Sequence, residues 1–303
     1  MLRNGIYNEV LTLINNEELQ PSTNVVISTC SAYDYLNNSI PNLEKMTVKY
    51  YETFAITSRF TGYISNISIG EFYNLLTTNG PNPTAILGGL NSTTRKELSE
   101  ESDNSSDAVI SPEDLTAGSS SVTGNRGSEN IGIAVFKNDK FCGELTAVET
   151  ICHLLIDNEI DSCIVSIDSP IEENSKIELR LVPSKKSKIK VNIENDVPHI
   201  DINLNLEADI MTLQNNVDYQ SDKILEKISN STQKYMEEQI NNYLNKVCKE
   251  YGVDIDNFYT KALGHFATIP EWNNFNWEEK IKTAQFNVNP KIDVISSILI
   301  TKT

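Results

Sequence analysis

The longest regular pattern of apolar side chains in this sequence lies between residues 221 and 251. Four of them recur at the spacing i, i+4, i+7 and i+11: Met236, Ile240, Tyr243 and Val247. This spacing is the period of an α-helix and not that of a strand. Ser221 suits the start of a helix, and Gly252 suits its end. Because charged residues of both signs fill the other positions, we predict a long helix that buries one stripe and exposes the rest.

The segment before this helix alternates between apolar and polar side chains with a period of two. The alternating apolar positions are Ile177, Leu179 and Leu181, then Ile189, Val191 and Ile193, then Ile200, Ile202, Leu204 and Leu206. A short apolar run at 163–165 precedes them, and Lys185-Lys186 and Asn195-Asp196 predict turns between runs. We therefore predict an antiparallel meander with one dry face, which packs on the long helix.

The sequence after the long helix predicts a shorter helix that begins at 254–258 and a closing strand. The apolar positions of that strand are Phe286, Val288, Ile292, Val294, Ile298 and Ile300. A connection that contains Trp272 and Trp277 lies between the two elements. Strands, then helices, then a returning strand are typical of an α+β domain.

The first ninety residues alternate helical and strand patterns. Helices are predicted at 6–14, after Ser31, at 43–60 and at 69–77, and strands at 24–29 and 84–90. In the helix after Ser31, we expect Tyr35 and Leu36 to face inward. This order predicts an α/β unit, but two strands make a thin sheet, so we expect further strands upstream of this chain.

Residues 92–130 differ from both flanking segments, because they are rich in Ser, Asn and Glu and almost free of aromatic side chains. Such a composition cannot bury enough apolar area to offset chain entropy, so we predict a disordered insertion. Order resumes with a hairpin whose turn is Asn138-Asp139, followed by a helix that Thr146 and Glu149 begin as a capping box. The predicted fold is thus α+β, with a truncated N-terminal α/β domain at 1–91 and a C-terminal meander domain at 131–303.

Composition and charge narrow the class of function. The 303 residues include 39% hydrophobic and 22% charged residues, and the net charge is −17. This charge excludes a typical nucleic-acid-binding surface and disfavours electrostatic attachment to anionic lipids. The sequence has no apolar run of the roughly 20 residues that a spanning helix needs. Nor does MLRNGIYNEV at the N-terminus have the pattern of a signal peptide.

Candidate chemistry is sparse. The five cysteines are scattered singly, which favours small buried hydrophobes over a disulfide framework, a metal site or a redox site. His153 lies in an apolar helix, which predicts a packed residue. Only His265 has carboxylates near it in sequence, at Asp254, Asp256 and Glu271. That cluster could serve acid–base or metal chemistry, and a helix-end histidine that binds backbone carbonyls explains it equally well. We therefore predict no catalytic, cofactor-binding or metal-binding residue, and no enzyme.

A binding function also stays open on these residues. Trp272 and Trp277, with Phe275, could form a ligand platform, although aromatics at this density more often anchor a helix on a sheet. The corresponding alternative function is a small-ligand-binding module that uses a cleft near Trp272 and His265.

Several motifs in a fixed order resemble the Ger(x)C family of spore germination proteins. They are the strand and helix of 25–36, Ala134-Val135-Phe136-Lys137, Asp139-Lys140, Gly143-Glu144-Leu145, Tyr251-Gly252-Val253-Asp254-Ile255, Pro270-Glu271-Trp272 and Phe286-Asn287-Val288-Asn289. The resemblance covers nearly the whole chain outside the insertion.

The resemblance implies a non-catalytic accessory or scaffold subunit of a spore germinant receptor. Such a subunit is lipid-anchored at the outer face of the spore inner membrane and assembles with the membrane subunits A and B of the receptor. Members of the family begin with a signal peptide and a lipobox cysteine, whereas this chain starts at Met1 within the first domain. We therefore expect the lipid anchor to be absent from this chain.

Overall fold

The structure is a computed structural model, and the chain divides into two compact units. The structure describes residues 5–39, 47–78, 80–99, 111–121, 127–212 and 221–295. Unit 1 comprises the described parts of Met1–Ser58, Gly62–Ile151 and Tyr251–Ile255, and unit 2 those of Arg59–Thr61, Cys152–Glu250 and Asp256–Thr303. Some predictions lie outside the described residues, namely the start of the 43–60 helix, 100–110 and 122–126 of the insertion, and Ile298 and Ile300.

A four-stranded sheet of order β1-β2-β3-β4 forms the centre of unit 1. Its strands are β1 (Val26–Ser28), β2 (Thr84–Leu90), β3 (Ser128–Lys137) and β4 (Lys140–Leu145). β1 runs parallel to β2, and the other neighbours are antiparallel. The predicted hairpin forms around Asn138, whose φ of 54° suits a tight turn. The hairpin pairs with β2, so the first sheet gains the strands that the N-terminal segment alone does not supply.

The described residues up to position 157 also contain six helices, five of which the sequence predicted. They are α1 (Tyr7–Ile14), α2 (Ala32–Asn37), α3 (Thr47–Thr57), α4 (Ile69–Thr77), α5 (Ser92–Ser99) and α6 (Ala147–Asp157). Ser31 caps α2 through the N–H of Asp34, and Thr146 and Glu149 cap α6 reciprocally, both as predicted. Leu36 does not face inward as we expected, because it is 59% exposed while Tyr35 is buried.

Apolar residues are buried on both faces of the first sheet. Ala85 and Leu87 join a core with α1 and α4, while Ile86 packs with Ala55 and Ile64. Successive strand residues point to opposite faces, so β2 is buried throughout and reads as an unbroken apolar run.

Part of the segment predicted to be disordered has structure. It contains α5, a 3-10 turn at Pro112–Asp114, and the first residues of β3. Ala117 is buried in the core, and the N–H of Gly118 donates to the carboxylate of Glu129 at 2.7 Å. A local hydrogen bond of this kind is not visible in composition. The boundaries 1–91, 92–130 and 131–303 stay a prediction.

Unit 2 contains a second four-stranded sheet, of order β5-β6-β7-β8. Its strands are β5 (Cys163–Asp168), β6 (Lys176–Glu194), β7 (Val197–Ile210) and β8 (Gln285–Ile295). β5, β6 and β7 form the predicted antiparallel meander, and β8 returns parallel to β7. The turn at Asn195-Asp196 forms as predicted. The turn predicted at Lys185-Lys186 does not, because two register irregularities absorb these residues within one long strand.

The long helix that the sequence predicted packs on the dry face of this sheet. It runs as α7 (Asp222–Leu244) and continues as a π-helix over Asn245–Tyr251, and Gly252 follows with a φ of 65°. The four side chains of its apolar stripe are fully buried. The described part of unit 2 also contains three short helices: α8 (Phe258–Leu263), α9 (Ile269–Phe275) and α10 (Trp277–Lys280). None of the described helices combines the length and the apolar character that crossing a bilayer requires.

Candidate functional site

Three polar side chains of unit 2 meet in its interior. His153 on α6 donates from Nδ1 to Oδ1 of Asp256 at 2.8 Å, and the Tyr243 hydroxyl of α7 donates to Oδ2 of Asp256 at 2.8 Å. The side chain of His153 is 6% exposed and that of Asp256 is fully buried. Tyr243 is fully buried too. In the folded chain, the hydrogen bonds from His153 and Tyr243 therefore replace those that water would donate to the Asp256 carboxylate.

The charges of this trio are set by the pairing. Burial alone would lower the pKa of His153, but the hydrogen bond and the charge of Asp256, with smaller contributions from the charges of Asp157 and Glu159, raise it to about 9. The imidazole is therefore protonated at neutral pH and forms a buried ion pair. Burial and the Asp256 charge raise the pKa of Tyr243 well above its usual value, so its hydroxyl keeps its proton.

The carboxylates that surround His265 in sequence do not form one site with it. The His265 Nε2 donates to the backbone oxygen of Val191 at 2.7 Å, so this histidine just after α8 binds a backbone carbonyl, one of the two possibilities that the sequence left open. Asp256 binds His153, and the Glu271 carboxylate accepts from the N–H of Ala267 at 3.0 Å. Within the described residues, no cluster of three His, Cys, Asp or Glu side chains has the geometry to hold a metal ion.

The tryptophans lie in a packed aromatic cluster. Trp272 stacks on Trp277 with 5.8 Å between ring centroids, and Phe266 and Phe275 contact Trp272 as well. Trp272 is 9% exposed and Trp277 is 4% exposed. Their ring faces are thus occupied by each other, and this cluster anchors α9 and α10 within unit 2.

The cysteines are free thiols in the structure, and three of them, Cys152, Cys163 and Cys248, are buried. Burial raises the pKa of the Cys163 thiol to about 12, and that of Cys142 to about 11. Both sulfurs are therefore protonated at neutral pH, which removes the thiolate that nucleophilic chemistry uses.

An open pocket of about 650 Å³ lies beside β1 in unit 1. Its apolar lining is Val26, Ala32, Tyr35, Leu36 and Phe54, and its polar lining is Gln20, Ser22, Thr23, Asn24 and Ser28. The volume is within the range of small-molecule sites, roughly 300–1,000 Å³. Because these lining side chains are uncharged, the pocket suits an uncharged ligand with an apolar face.

The wall of this pocket is fixed by a glycine on β2. A Cβ at Gly88 would lie 2.8 Å from Cγ1 of Val26 and 2.9 Å from Cε2 of Tyr35. The missing side chain lets both residues pack directly on the sheet. The Tyr35 hydroxyl then donates to Oδ1 of Asn130 at 2.6 Å, which holds the ring at the pocket wall.

Comparison with known families decides what this chain is. Residues 131–297 match the family described as "Spore germination B3/ GerAC like, C-terminal", and residues 1–88 match "Spore germination protein N-terminal domain". The chain belongs to the GerAC-like family of spore germination proteins. This confirms the resemblance to Ger(x)C proteins and gives the chain a role in spore germination.

A solved structure shares the fold of this GerAC-like protein. The chain superposes on the structure titled "Crystal Structure of the GerBC protein" with a TM-score of 0.67 and 16% sequence identity. The alignment covers 98% of this chain and 76% of the GerBC chain. Comparison with curated proteins gives no match.

The structure also explains two motifs behind the resemblance. Gly143 of β4 lies against the ring of Tyr251, so that a Cβ at residue 143 would be 2.3 Å from Cζ of the tyrosine. The Tyr251 hydroxyl donates to the backbone oxygen of Glu144 at 3.3 Å. Residues that are about a hundred positions apart thus meet in unit 1. His153 and Asp256 are also about a hundred positions apart in sequence, and no motif in the sequence indicated that they pair.

Proposed function

We propose that this chain is a non-catalytic accessory subunit of a spore germinant receptor. In this proposal it assembles with the A and B membrane subunits at the outer face of the spore inner membrane. The observation that carries the proposal is the match to both GerAC-type domains, in their order, along one chain.

The buried polar groups of unit 2 are consistent with a structural role. His153, Asp256 and Tyr243 bind one another away from solvent, and His265 binds a backbone oxygen. A general acid or base must reach a substrate proton within hydrogen-bond distance, and these groups are already committed to protein partners.

Unit 1 presents a surface that suits a protein partner. Tyr33 and Leu36, three residues apart on α2, are 75% and 59% exposed. Residues at this spacing lie on one face of a helix, so the two side chains form a continuous apolar strip. Exposed apolar contacts of this kind are favourable when a partner covers them.

Deletion of the gene tests the role in the organism that encodes it. We expect spores without this chain to lose nutrient-triggered germination, while germination by a non-nutrient trigger stays normal, and expression of the chain to restore the response. Normal nutrient response of the deletion strain, in a background without paralogues, would refute the proposal.

A second candidate function is small-ligand binding, and the pocket beside β1 favours it. In this candidate function the ligand would lie in unit 1, whereas the sequence suggested a cleft near Trp272 and His265. Saturation-transfer NMR with a panel of uncharged sugars provides the test. Ala32→Trp should fill the pocket and abolish the signal, whereas Tyr33→Trp on the exposed side of α2 should keep it. Absence of binding, or equal binding by both variants, would count against this function.

A further inference from the structure

The outer face of the second sheet carries a band of lysines that the proposed function does not explain. The band comprises Lys185, Lys188 and Lys190 of β6 and Lys291 of β8. Each is exposed, and none has an ion-pair partner among the described residues. We name these four residues the basic band.

The strand register places the whole basic band on one face. Lys185, Lys188 and Lys190 are opposite Asn205, Asn203 and Asp201 of β7, and Lys291 is opposite Asn205 from the other side. These β7 residues alternate with the buried side chains of that strand, so they point to the wet face. Opposed residues in a sheet share a face, and the lysines therefore point the same way.

The irregularities in β6 bring one of the four lysines, Lys185, into the band. Strict alternation from the buried Leu181 would turn residue 185 toward the core. The register shifts between Pro183 and Lys185 and between Lys185 and Lys188 instead bring Lys185 onto the face of the other lysines. The sequence that we expected to be a turn thus builds a cationic surface within a strand.

Three acidic groups share this face of the sheet with the four lysines of the basic band. Asp201 lies opposite Lys190 and accepts a hydrogen bond from Asn287 at 2.8 Å, while Glu207 and Asp293 form the row beyond Lys291. The four lysines therefore exceed these three carboxylates by one positive charge, in a chain whose total is −17. Because the Debye length is about 8 Å at physiological ionic strength, a surface in contact with the band responds to these local charges and not to the total.

Two exposed aliphatic side chains flank a contact made near the band. The hydrogen bond from His265 to the Val191 oxygen holds His265 at β6, one residue along the strand from Lys190, and His265 belongs to the 263–269 segment. In that segment Leu263 is 43% exposed and Ile269 is 76% exposed. Lysines attract anionic headgroups as point charges, and exposed aliphatic side chains enter the interface between headgroups and acyl chains.

We propose that the basic band, with Leu263 and Ile269 beside it, docks unit 2 on a bilayer surface that contains anionic phospholipids. Each lysine near such a surface increases binding about fivefold, so the three lysines of β6 together contribute on the order of 100-fold. The net charge of the chain led us to expect that attachment to anionic lipids is disfavoured. The proposal makes this one face of unit 2 an exception to that expectation.

Flotation of the whole chain with vesicles tests the proposal without any receptor subunit, so its failure would leave the proposed function standing. The vesicles are phosphatidylcholine alone or an equimolar mixture with phosphatidylglycerol. We expect binding only to the mixture, and weaker binding as salt is added. The triple variant Lys185→Ala, Lys188→Ala, Lys190→Ala should lose binding by on the order of 100-fold.

The matched control removes the same charge elsewhere in unit 2. Lys223, Lys227 and Lys234 are exposed on α7, and their replacement by alanine should leave vesicle binding within a few-fold of the parent chain. Ile269→Ser should weaken binding while its salt dependence stays the same. No binding to the mixed vesicles, equal losses in both triple variants, or capture by a poly-glutamate peptide in preference to vesicles would overturn the proposal.

Discussion

The buried pair of His153 and Asp256 makes the stability of unit 2 depend on pH. The pKa of His153 rises from 6.5 to about 9 on folding, and one unit corresponds to about 1.4 kcal/mol. Protonated His153 therefore stabilises the folded state by about 3 kcal/mol relative to its neutral form. Because the folded pKa is the higher one, this contribution is complete below pH 6.5 and is lost as the pH rises through 9.

The two tryptophans of the chain provide a local probe, because Trp272 and Trp277 both lie in unit 2. Urea unfolding followed by their fluorescence should show a free energy of unfolding that falls by about 3 kcal/mol between pH 6 and pH 10. His153→Gln should lower stability at pH 6 and flatten this slope. His199→Gln changes the same residue type at the start of β7 and should keep the slope.

Two results would refute this reasoning. One is a stability that stays level or increases across the window in the parent chain. The other is a slope that His153→Gln and His199→Gln reduce equally. Asp256→Asn adds a check, since breaking a buried pair by removing one partner costs about 3–5 kcal/mol.

Three further substitutions test the packing and hydrogen bonds of the two units. Gly143→Ala would place a Cβ against the ring of Tyr251, so we expect a loss of about 1–3 kcal/mol, measured by faster amide exchange in β3 and β4; unchanged exchange would contradict the contact. Met236→Ala empties a fully buried position of α7 and should cost about 2–5 kcal/mol in urea unfolding, and a loss below 1 would show that the stripe is misplaced. His265→Ala leaves the oxygen of Val191 without its donor and should cost about 1 kcal/mol, whereas no change would mean that water replaces the imidazole.

Local patterns explain why the elements were predictable. The period of α7, the N-terminal caps of α2 and α6, and the alternation of β6 and β7 each depend on residues close together in sequence. Side-chain direction and cap hydrogen bonds are determined by residues within a few positions of one another, so they can be recognised from a short stretch of sequence. The predicted bounds of α4 and β2 agree with the structure residue for residue.

Long-range pairing explains what sequence reasoning missed. In sequence, the hairpin of β3 and β4 is followed by the strands of the second sheet, but it pairs with β2 of the first sheet. The sequence of the hairpin alone does not indicate which strand it pairs with. The pairing of His153 with Asp256 joins residues 103 positions apart, and neither has a ligand-like spacing with the other. The apolar helix around His153 predicted only that this histidine is packed, and the fold shows the carboxylate of Asp256 opposite it.

Local irregularities were equally hidden. The alternation of β6 keeps one phase on both sides of Lys185, so a turn and a pair of bulges fit the same sequence. The register decides between them, and it also decides which lysines share a face. The total charge of the chain gave no indication of that local arrangement.

Co-purification from spore membranes tests the central claim most directly. The tagged chain, expressed at its native level and cross-linked before solubilisation, should enrich the A and B receptor subunits together, and Tyr33→Ser with Leu36→Ser should reduce that enrichment without altering the melting of the chain. Recovery of the intact chain from the membrane fraction with neither subunit enriched over an untagged control would contradict the account.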